Sequence, residues 1–256
     1  MADQTRSGAR PTKNERREEA RRKRIELQRQ AERARRNRMI AIAVTVVVVA
    51  AAVAFLVTRP EERSAATERA TQVLATSSAQ TEAAGCTEVQ DVGAYQPEGQ
   101  DRVHIGGGDG PAEMPALSTY PSTPPASGPH AGTPLPAGVY SSPPPMDALI
   151  HSLEHGAAVV WYDPEATSPG LSEIQDFYAE PDVGSRVIVA PYDYPDEGDA
   201  GALPQGTQMA LVSWHHVQTC AEANLGAAFG FTARWSAPPF EGEDYLGEAP
   251  EPGAQL

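Results

Sequence analysis

The sequence predicts an α+β domain, with a mixed sheet and two to three helices, preceded by a single transmembrane helix. The prediction rests on three features of the chain. Short apolar runs alternate with amphipathic stretches after residue 145, which is typical of a small domain of strands and helices. One long apolar run lies near the N-terminus, and the two sides of this run carry opposite charge.

The long apolar run covers residues 39–57 and contains no charged residue, proline or glycine. At about 1.5 Å per residue, a helix of this length crosses most of a hydrocarbon core of about 30 Å. We therefore expect a transmembrane helix over residues 39–58. A cleaved signal peptide is the alternative, but its basic region would be unusually long, and no small-x-small cleavage site closes the run.

The charge distribution predicts how this helix is oriented. Residues 1–38 hold 14 Lys and Arg against 6 Asp and Glu, whereas residues 39–256 hold 6 against 28. Basic residues beside a first apolar segment resist translocation. We therefore expect a single-pass protein of the cytoplasmic membrane, with its N-terminus in the cytoplasm and its C-terminal domain outside. Residues 1–38 are expected to be helical or disordered and to act as a topology signal, with contact to anionic lipid headgroups as a side effect, while residues 39–58 contact the bilayer itself. Nucleic acid is not an expected partner, because no aromatic residues interleave with the arginines.

Composition also divides the outer part of the chain. Residues 59–85, rich in Glu, Ala, Thr and Ser, are expected to be a linker with some helix near residues 65–75. The folded domain is expected over residues 86–237, followed by an acidic, flexible tail over residues 238–256. The two cysteines, Cys86 and Cys220, both lie on the outer side, where an oxidising compartment allows them to form a disulfide. Two buried free thiols are the alternative.

The elements of the domain follow from local pattern. Residues 105–146 contain too many Pro and Gly for regular structure. A helix beginning at residue 146 should stop at Gly156, the residue type expected just past a helix end. The elements predicted after the Pro-rich stretch are a helix over residues 146–155, strands over 157–163, 186–193 and 209–219, and helices over 171–180 and 225–235.

The stretch HSLEHG, residues 151–156, is the clearest candidate site. On a helix, His151 and His155 lie one turn apart on the same face, a spacing with which two imidazoles can hold one metal ion. Extracytoplasmic histidines commonly bind copper or zinc. The stretch also fits H-x-x-E-H, the inverted zinc-protease signature, in which Glu154 would activate water. In a third interpretation, the imidazoles are structural and tie down a Pro-rich loop that has few backbone hydrogen bonds of its own.

Other histidines extend this candidate site. His130 closes the stretch PPASGPH, and His104 precedes a run of glycines. The predicted metal set is therefore His130, His151 and His155, together with His104 and Glu154. The remaining two histidines are expected to point to opposite faces of one strand, which excludes them as a chelating pair.

Three segments resemble the bacterial family known as domain of unknown function 3105: TPPASGPH (residues 123–130), GVY (138–140) and IHSLEHGAAVVWY (150–162). The resemblance covers roughly residues 86–235, and many members carry an N-terminal transmembrane segment. It implies a shared core of the site formed by Pro124, Pro125, Ser127, Gly128, His130, Tyr140, His151, Leu153, Glu154, His155 and Gly156. His104 matches a histidine that often precedes the first motif. The chain departs from the family pattern at Ala126, where threonine is usual, and in a longer Gly/Pro insertion before Pro124.

The resemblance implies no established activity, so three functions stay open. The first is a membrane-anchored binding module that holds copper or zinc through the histidine set. The second is a non-catalytic accessory or assembly domain of the cell envelope, in which the same residues are structural and the partner is another envelope protein. The third is a zinc-dependent hydrolase, which would need an open metal position with Glu154 aimed at it.

Overall fold

The computed structural model describes Arg21, Arg38, Met39 and residues 64–256. Apart from those three residues, the predicted basic segment and the predicted transmembrane helix lie outside the described residues. Within the described part, no helix combines the length and the apolar character that crossing a membrane requires. Residues 64–256 belong to one compact unit.

The unit is built on a six-stranded sheet with the strand order β1-β6-β5-β3-β4-β2. β3 and β4 run parallel, as do β4 and β2, whereas β3, β5, β6 and β1 are joined by antiparallel pairs. This mixed sheet confirms the predicted α+β class. The strands are β1 (Gln90–Asp91), β2 (Gly138–Val139), β3 (Ala158–Tyr162), β4 (Val187–Pro191), β5 (Met209–Ser213) and β6 (His216–Cys220).

The described residues contain more helix than the two to three helices expected. Within residues 64–256, the α-helices are α1 (Ala65–Ala83), α2 (Met146–Glu154), α3 (Gly170–Tyr178), α4 (Pro181–Gly184) and α5 (Leu225–Trp235), and 3-10 turns lie at Leu117–Thr119 and Pro195–Gly201. α1 covers the stretch that composition assigned to a linker, yet it packs on α5. A Cβ on Gly230 of α5 would lie 2.8 Å from Ser77 Cβ, so the glycine permits this close approach. Val73 and Leu74 of α1 also pack against the core, but most of the helix is Ala, Ser, Thr, Gln and Glu, which leaves a weak amphipathic signal in the sequence.

The sheet has a core on each face, because successive side chains of a strand point to opposite sides. Val160 and Leu211 face the core that α1, α3 and α5 cover. Val159 and Trp161 face the core that is covered by α2 and by loops carrying Tyr95 and other aromatic residues. All five residues of β3 are buried, as expected for a central strand. The candidate site lies on the α2 side.

The stretch predicted as one strand over residues 209–219 is a hairpin, so that prediction was wrong. β5 ends at Ser213 and β6 begins at His216. His215 lies in the turn with a φ of 62°, a left-handed conformation that usually selects glycine or asparagine. The alternation of apolar and polar residues continues through the turn, and the turn contains neither glycine nor asparagine. The sequence therefore has no local signal for the turn. A tertiary contact, from His215 Nε2 to Asp101 Oδ2 at 2.8 Å, holds the turn instead.

The disulfide between Cys86 and Cys220 is confirmed. It joins the segment after α1 to the end of β6 and closes a loop with a sequence separation of 134 residues. The segment after α5, expected to be flexible, makes backbone hydrogen bonds with the end of α2. Gly253 N donates to His155 O at 3.1 Å, and Glu251 N donates to Glu154 O at 3.0 Å. The last residues of the chain therefore lie beside the candidate site.

Candidate metal centre

The helix α2 presents two different sides. Leu149, Ile150 and Leu153 pack into the core of the sheet. His151 and Glu154, three residues apart and therefore neighbours on the helix surface, are also buried, but beneath the Pro-rich loop. The predicted helix thus has its apolar side on the sheet and its candidate ligands under a loop.

The Pro-rich loop is fixed across α2 by hydrogen bonds, so that His130 lies beside His151. Ala131 N donates to Asp147 O at 3.1 Å, and Leu135 N donates to Ser152 Oγ at 2.8 Å. All residues from 124 to 130 are buried. A loop without regular structure can be buried only if its polar groups find partners, and α2 supplies several of them.

A second chain segment brings His104 to the same place. His130 N donates to Val103 O at 3.1 Å, and Ile105 N donates to His130 O at 2.7 Å. The His104 ring stacks on the His151 ring with centroids 5.0 Å apart and an interplanar angle of 11°. The His130 ring meets both rings edge-on, at 5.1 and 5.0 Å.

Four of the five predicted metal ligands therefore converge. His104, His130, His151 and Glu154 each offer one ligand atom, and these atoms all lie within 4.8 Å of one another. Three of the four residues are buried, and only His104 is exposed. The residues come from three separate stretches of chain, so local spacing alone could not reveal the set.

Hydrogen bonds fix which ring nitrogen faces the cluster. His130 Nδ1 lies 2.7 Å from Gly128 O, and His151 Nδ1 lies 2.5 Å from Ala131 O. A carbonyl oxygen can only accept, so each Nδ1 carries the hydrogen and each neutral ring keeps its lone pair on Nε2. This is the arrangement in which proteins orient histidines that bind metals.

Glu154 stays charged inside the cluster. Its Oε1 accepts a hydrogen bond from Arg102 Nε at 2.8 Å, and its Oε2 lies 3.0 Å from His130 Nε2. Burial alone would raise the pKa of Glu154, but a protonated His130, as hydrogen-bond donor and positive charge, and Arg102 more than offset it and lower the pKa to about 2. The His130–Glu154 contact is short but poorly directed, and within the described residues the buried Nε2 has no aligned hydrogen-bond partner.

The surroundings of His151 favour the neutral form of its imidazole. Burial lowers its pKa, and the neighbouring rings of His130 and His155 act in the same direction, against the hydrogen bond to Ala131. A neutral imidazole is the form that binds a metal. The centre thus combines the His151 imidazole, whose neutral form is favoured, with a carboxylate that is already ionised.

His155, the fifth predicted ligand, is not part of the group of four. Its Nε2 lies 2.9 Å from His151 Nε2, and its Nδ1 lies 2.6 Å from Gln255 O. The residue caps the end of α2, so its ring leans toward the C-terminal segment as well as toward His151.

The other residues of the predicted core surround the site rather than enter it. Pro124, Pro125 and Ser127 belong to the buried loop segment that carries His130. Gly128 has a φ of 125°, and a Cβ there would lie 2.7 Å from the Tyr120 ring. Gly156 ends α2 with a φ of 85°, and a Cβ there would lie 2.7 Å from Ala237 Cβ. Tyr140 follows β2, where its hydroxyl donates to Pro136 O at 2.8 Å; it is not among the clustered ligands.

Two residues that support the site were not predicted. Arg102 holds Glu154, and Asp101 joins three segments behind His130. Asp101 Oδ1 accepts from Tyr95 N and Ser127 Oγ, both at 2.6 Å, and Oδ2 lies 2.8 Å from His215 Nε2. Both residues lie shortly before His104, in a stretch whose sequence has no motif that marks them.

Asp101 is expected to stabilise the fold in a pH-dependent way. Burial would raise its pKa, but His215, Ser127 and Tyr95 N outweigh burial and lower the pKa below 3.8. A carboxyl group with a lowered pKa in the folded state stabilises the fold above its unfolded value, and this contribution is lost as the pH falls through the folded pKa. Asp101→Asn should therefore cost about 1–3 kcal/mol at pH 7, and the difference from wild type should shrink below about pH 4.

Urea unfolding between pH 3 and pH 7 measures this difference. Asp91→Asn is the matched control, because Asp91 Oδ1 accepts one hydrogen bond, from Gly93 N at 2.9 Å, at an exposed position. A cost of Asp101→Asn that stays constant down to pH 3 would contradict the prediction.

The fold and the site together define a class: a small α+β domain in which three imidazoles and one carboxylate form a candidate metal centre. The chain belongs to the family described as "Protein of unknown function (DUF3105)", whose model matches residues 113–244. This confirms the family resemblance seen in the sequence. No curated protein and no solved structure matches the chain. His104, Arg102 and Glu251 lie outside the matched residues.

Proposed function

We propose that this protein is a membrane-anchored, extracytoplasmic metal-binding domain that holds zinc or copper. His130 and His151 would each contribute Nε2, His104 a ring nitrogen, and Glu154 a carboxylate oxygen. The observation that carries the proposal is the convergence of these four ligand atoms within 4.8 Å. The predicted helix over residues 39–58 would place the domain on the outer face of the cytoplasmic membrane.

The hydrogen bonding of the site supports a cation. When the rings are neutral, the Nδ1–carbonyl contacts leave lone pairs on His130 Nε2 and His151 Nε2, and His130 Nε2 lies 3.0 Å from Glu154 Oε2. This contact needs either a proton on His130 or a bound cation. Buried acceptor atoms that face one another without donors are costly. An ion at their centre would turn these opposed lone pairs into ligands.

The donor types favour zinc or copper(II). Imidazole suits both ions, and a carboxylate is an accepted ligand of zinc at about 2.0–2.2 Å. The four residues include no thiolate or thioether, which are the donors that copper(I) prefers. When bound, such an ion supplies positive charge and a Lewis-acid centre.

The geometry favours binding over hydrolysis. In the protease-like interpretation, Glu154 would act as a general base, and an efficient base has a pKa near the working pH. The pKa of Glu154 is about 2, and Arg102 already holds one of its oxygens. Glu154 is therefore better suited to bind an ion than to take a proton from water.

The accessory-domain interpretation also finds support, because the histidines do tie down the Pro-rich loop. His130 and His151 make hydrogen bonds to Gly128 O and Ala131 O, in or beside the loop that links His130 to α2. These bonds use only Nδ1, so they are compatible with metal binding through Nε2. The structural role and the metal-binding role can be separated by a substitution that keeps a donor at the position of Nδ1 and removes Nε2.

His151→Asn is that substitution, because an asparagine amide can take the place of Nδ1 but does not reach the position of Nε2. The full-length protein should bind about one zinc or copper(II) ion per chain, measured by elemental mass spectrometry after gel filtration. We expect His151→Asn to abolish this binding with little change in the melting temperature of the metal-free protein. His216→Asn is the control, since His216 is also buried and its Nδ1 lies 2.9 Å from Trp214 O.

Wild-type protein that takes up neither metal after exposure to both would refute the proposal. If His151→Asn then also lowered the melting temperature, a structural role in an assembly domain would be favoured. The location outside the membrane is tested separately, by the accessibility of an engineered surface cysteine to an impermeant reagent in intact cells. The control is a cysteine placed in residues 1–38.

A further inference from the structure

His155 and Glu251 lie beside the cluster of four ligands. Their side chains extend the series of potential ligand atoms from the buried cluster to the protein surface. His151 Nε2 lies 2.9 Å from His155 Nε2, and His155 Nε2 lies 3.6 Å from Glu251 Oε2. The Glu251 side chain is 53% exposed and that of His155 is 13% exposed, whereas His151 is buried. Potential ligands therefore follow one another from solvent to the buried centre.

The C-terminal segment fixes Glu251 in this line. Glu251 N donates to Glu154 O at 3.0 Å, so the backbone of the segment is attached to the last residue of α2. Arg102 Nη2 lies 3.6 Å from Glu251 Oε1, which leaves Oε2 as the oxygen nearer to His155. The same arginine thus holds the carboxylate of the inner cluster and the carboxylate at the surface.

The ring of His155 is oriented in the same manner as the inner histidines. Its Nδ1 lies 2.6 Å from Gln255 O, so Nδ1 carries the hydrogen and the lone pair is on Nε2. That lone pair meets the lone pair of His151 Nε2 at 2.9 Å. Two nitrogens at this distance share a proton when one ring is protonated, and a metal ion that contacts both nitrogens can replace that proton. This pair is therefore a place where an ion can exchange between an outer and an inner ligand.

We propose that His155 and Glu251 form an outer, transient metal-binding site that captures the ion from solution and passes it to the inner cluster through His151. The inference rests on the proposed function of the inner site. The transfer is a ligand exchange without change of oxidation state: Glu251 and His155 release the ion as His130 Nε2 and Glu154 take it up. The acidic outer part of the chain, with 28 Asp and Glu against 6 Lys and Arg in residues 39–256, would raise the local cation concentration.

An alternative route passes over His104, the one exposed ligand of the inner group. The two routes differ in which variants slow metal uptake. If the ion passes over His104, substitutions of His155 and Glu251 leave the uptake rate unchanged. If the ion passes through the outer site, both substitutions slow uptake and release together, because one path serves both directions.

Stopped-flow mixing of full-length protein with zinc, followed by a competing zinc-responsive dye, measures both rates. We expect His155→Asn, which keeps a donor for Gln255 O, to slow uptake about tenfold, within the range of cation steering. Glu251→Gln should slow uptake in the same direction. Glu248→Gln is the control, because it removes an exposed carboxylate from the same segment without touching His155.

An unchanged uptake rate in both His155→Asn and Glu251→Gln would overturn the inference and leave the inner site intact. Complete loss of zinc at equilibrium in His155→Asn would also overturn it, by making His155 a ligand of the inner centre. Failure of the proposed function has a different signature, since wild-type protein would then bind no zinc at any time. Because Glu251 is half exposed, Glu251→Gln should fold even if His155→Asn does not.

Discussion

Removal of the disulfide between Cys86 and Cys220 is expected to lower the free energy of unfolding by about 5 kcal/mol. The bond closes a loop with a sequence separation of 134 residues, and the entropy that a cross-link removes from the unfolded chain grows with loop length. A domain of this size is commonly stable by only about 5–15 kcal/mol. The loss would therefore take a large part of the total stability.

The measurement is urea unfolding of a Cys86→Ala/Cys220→Ala variant beside oxidised wild type. The neighbouring pair Thr87 and Thr219 supplies the control, because their side chains join the same two segments: Thr219 N donates to Thr87 Oγ1 at 3.2 Å, and the two hydroxyl oxygens lie 3.5 Å apart. Thr87→Ala/Thr219→Ala should cost much less than the double cysteine variant. A loss below about 1 kcal/mol for the cysteine pair would mean that the unfolded chain is already compact.

The disulfide and the candidate metal centre lie on opposite faces of the sheet. Cys220 belongs to the core beneath α1, α3 and α5, whereas the centre lies beside the core beneath α2. Metal affinity of the folded cysteine variant should therefore stay close to that of wild type. A large loss of affinity in protein that is still folded would contradict this separation of the two faces.

Arg102→Gln is expected to weaken metal binding about 10–100-fold, the usual cost of removing a group that orients a ligand. Arg102 Nε holds Glu154 Oε1 at 2.8 Å, although the arginine itself is 53% exposed. Without it, the buried carboxylate would be free to turn away and would bind a proton more readily. The guanidinium also repels a cation, but we expect its orienting role to dominate, because Glu154 is 4% exposed and has few other donors.

The pH profile distinguishes orientation from a general charge effect. The pKa of Glu154 is held at about 2 in the wild type, and loss of Arg102 should raise it, so the variant should release metal at a higher pH. The matched control is Arg234→Gln, which removes a similarly exposed arginine whose Nε lies 2.5 Å from Glu243 Oε2. Tighter binding in Arg102→Gln would mean that repulsion outweighs orientation.

The sequence predicted those elements whose signals are local. β3 and β4 are short apolar runs bounded by turn residues, and such runs are buried strands wherever they occur in a sheet. α2 was predicted from its apolar spacing and from Gly156, which has the left-handed φ that a helix end selects. His151 and Glu154 face the same way for the same local reason, since residues three apart are neighbours on a helix.

The elements that were missed depend on contacts distant in sequence. The turn at His215 exists because Asp101 binds its ring, more than a hundred residues away. The helix α1 was expected only in part, near residues 65–75 of a linker, because its packing on α5, with Ser77 against Gly230, joins residues distant in sequence. The grouping of Arg102, Glu154 and Glu251 likewise comes from pairing between separate segments.

The sequence by itself determined the α+β class, the family, the helix that carries HSLEHG and the residue types that make a metal centre plausible. It also led to the pairing of Cys86 and Cys220, through the expected compartment of both. The sequence also proposed His104 and His130 as further ligands, but only the tertiary structure brings their ligand atoms within 4.8 Å of those of His151 and Glu154. It also turns His155 toward the C-terminal segment. The physical reason is that a Pro-rich loop has no hydrophobic periodicity from which its position could be predicted. Its position is set by the hydrogen bonds that it forms with α2.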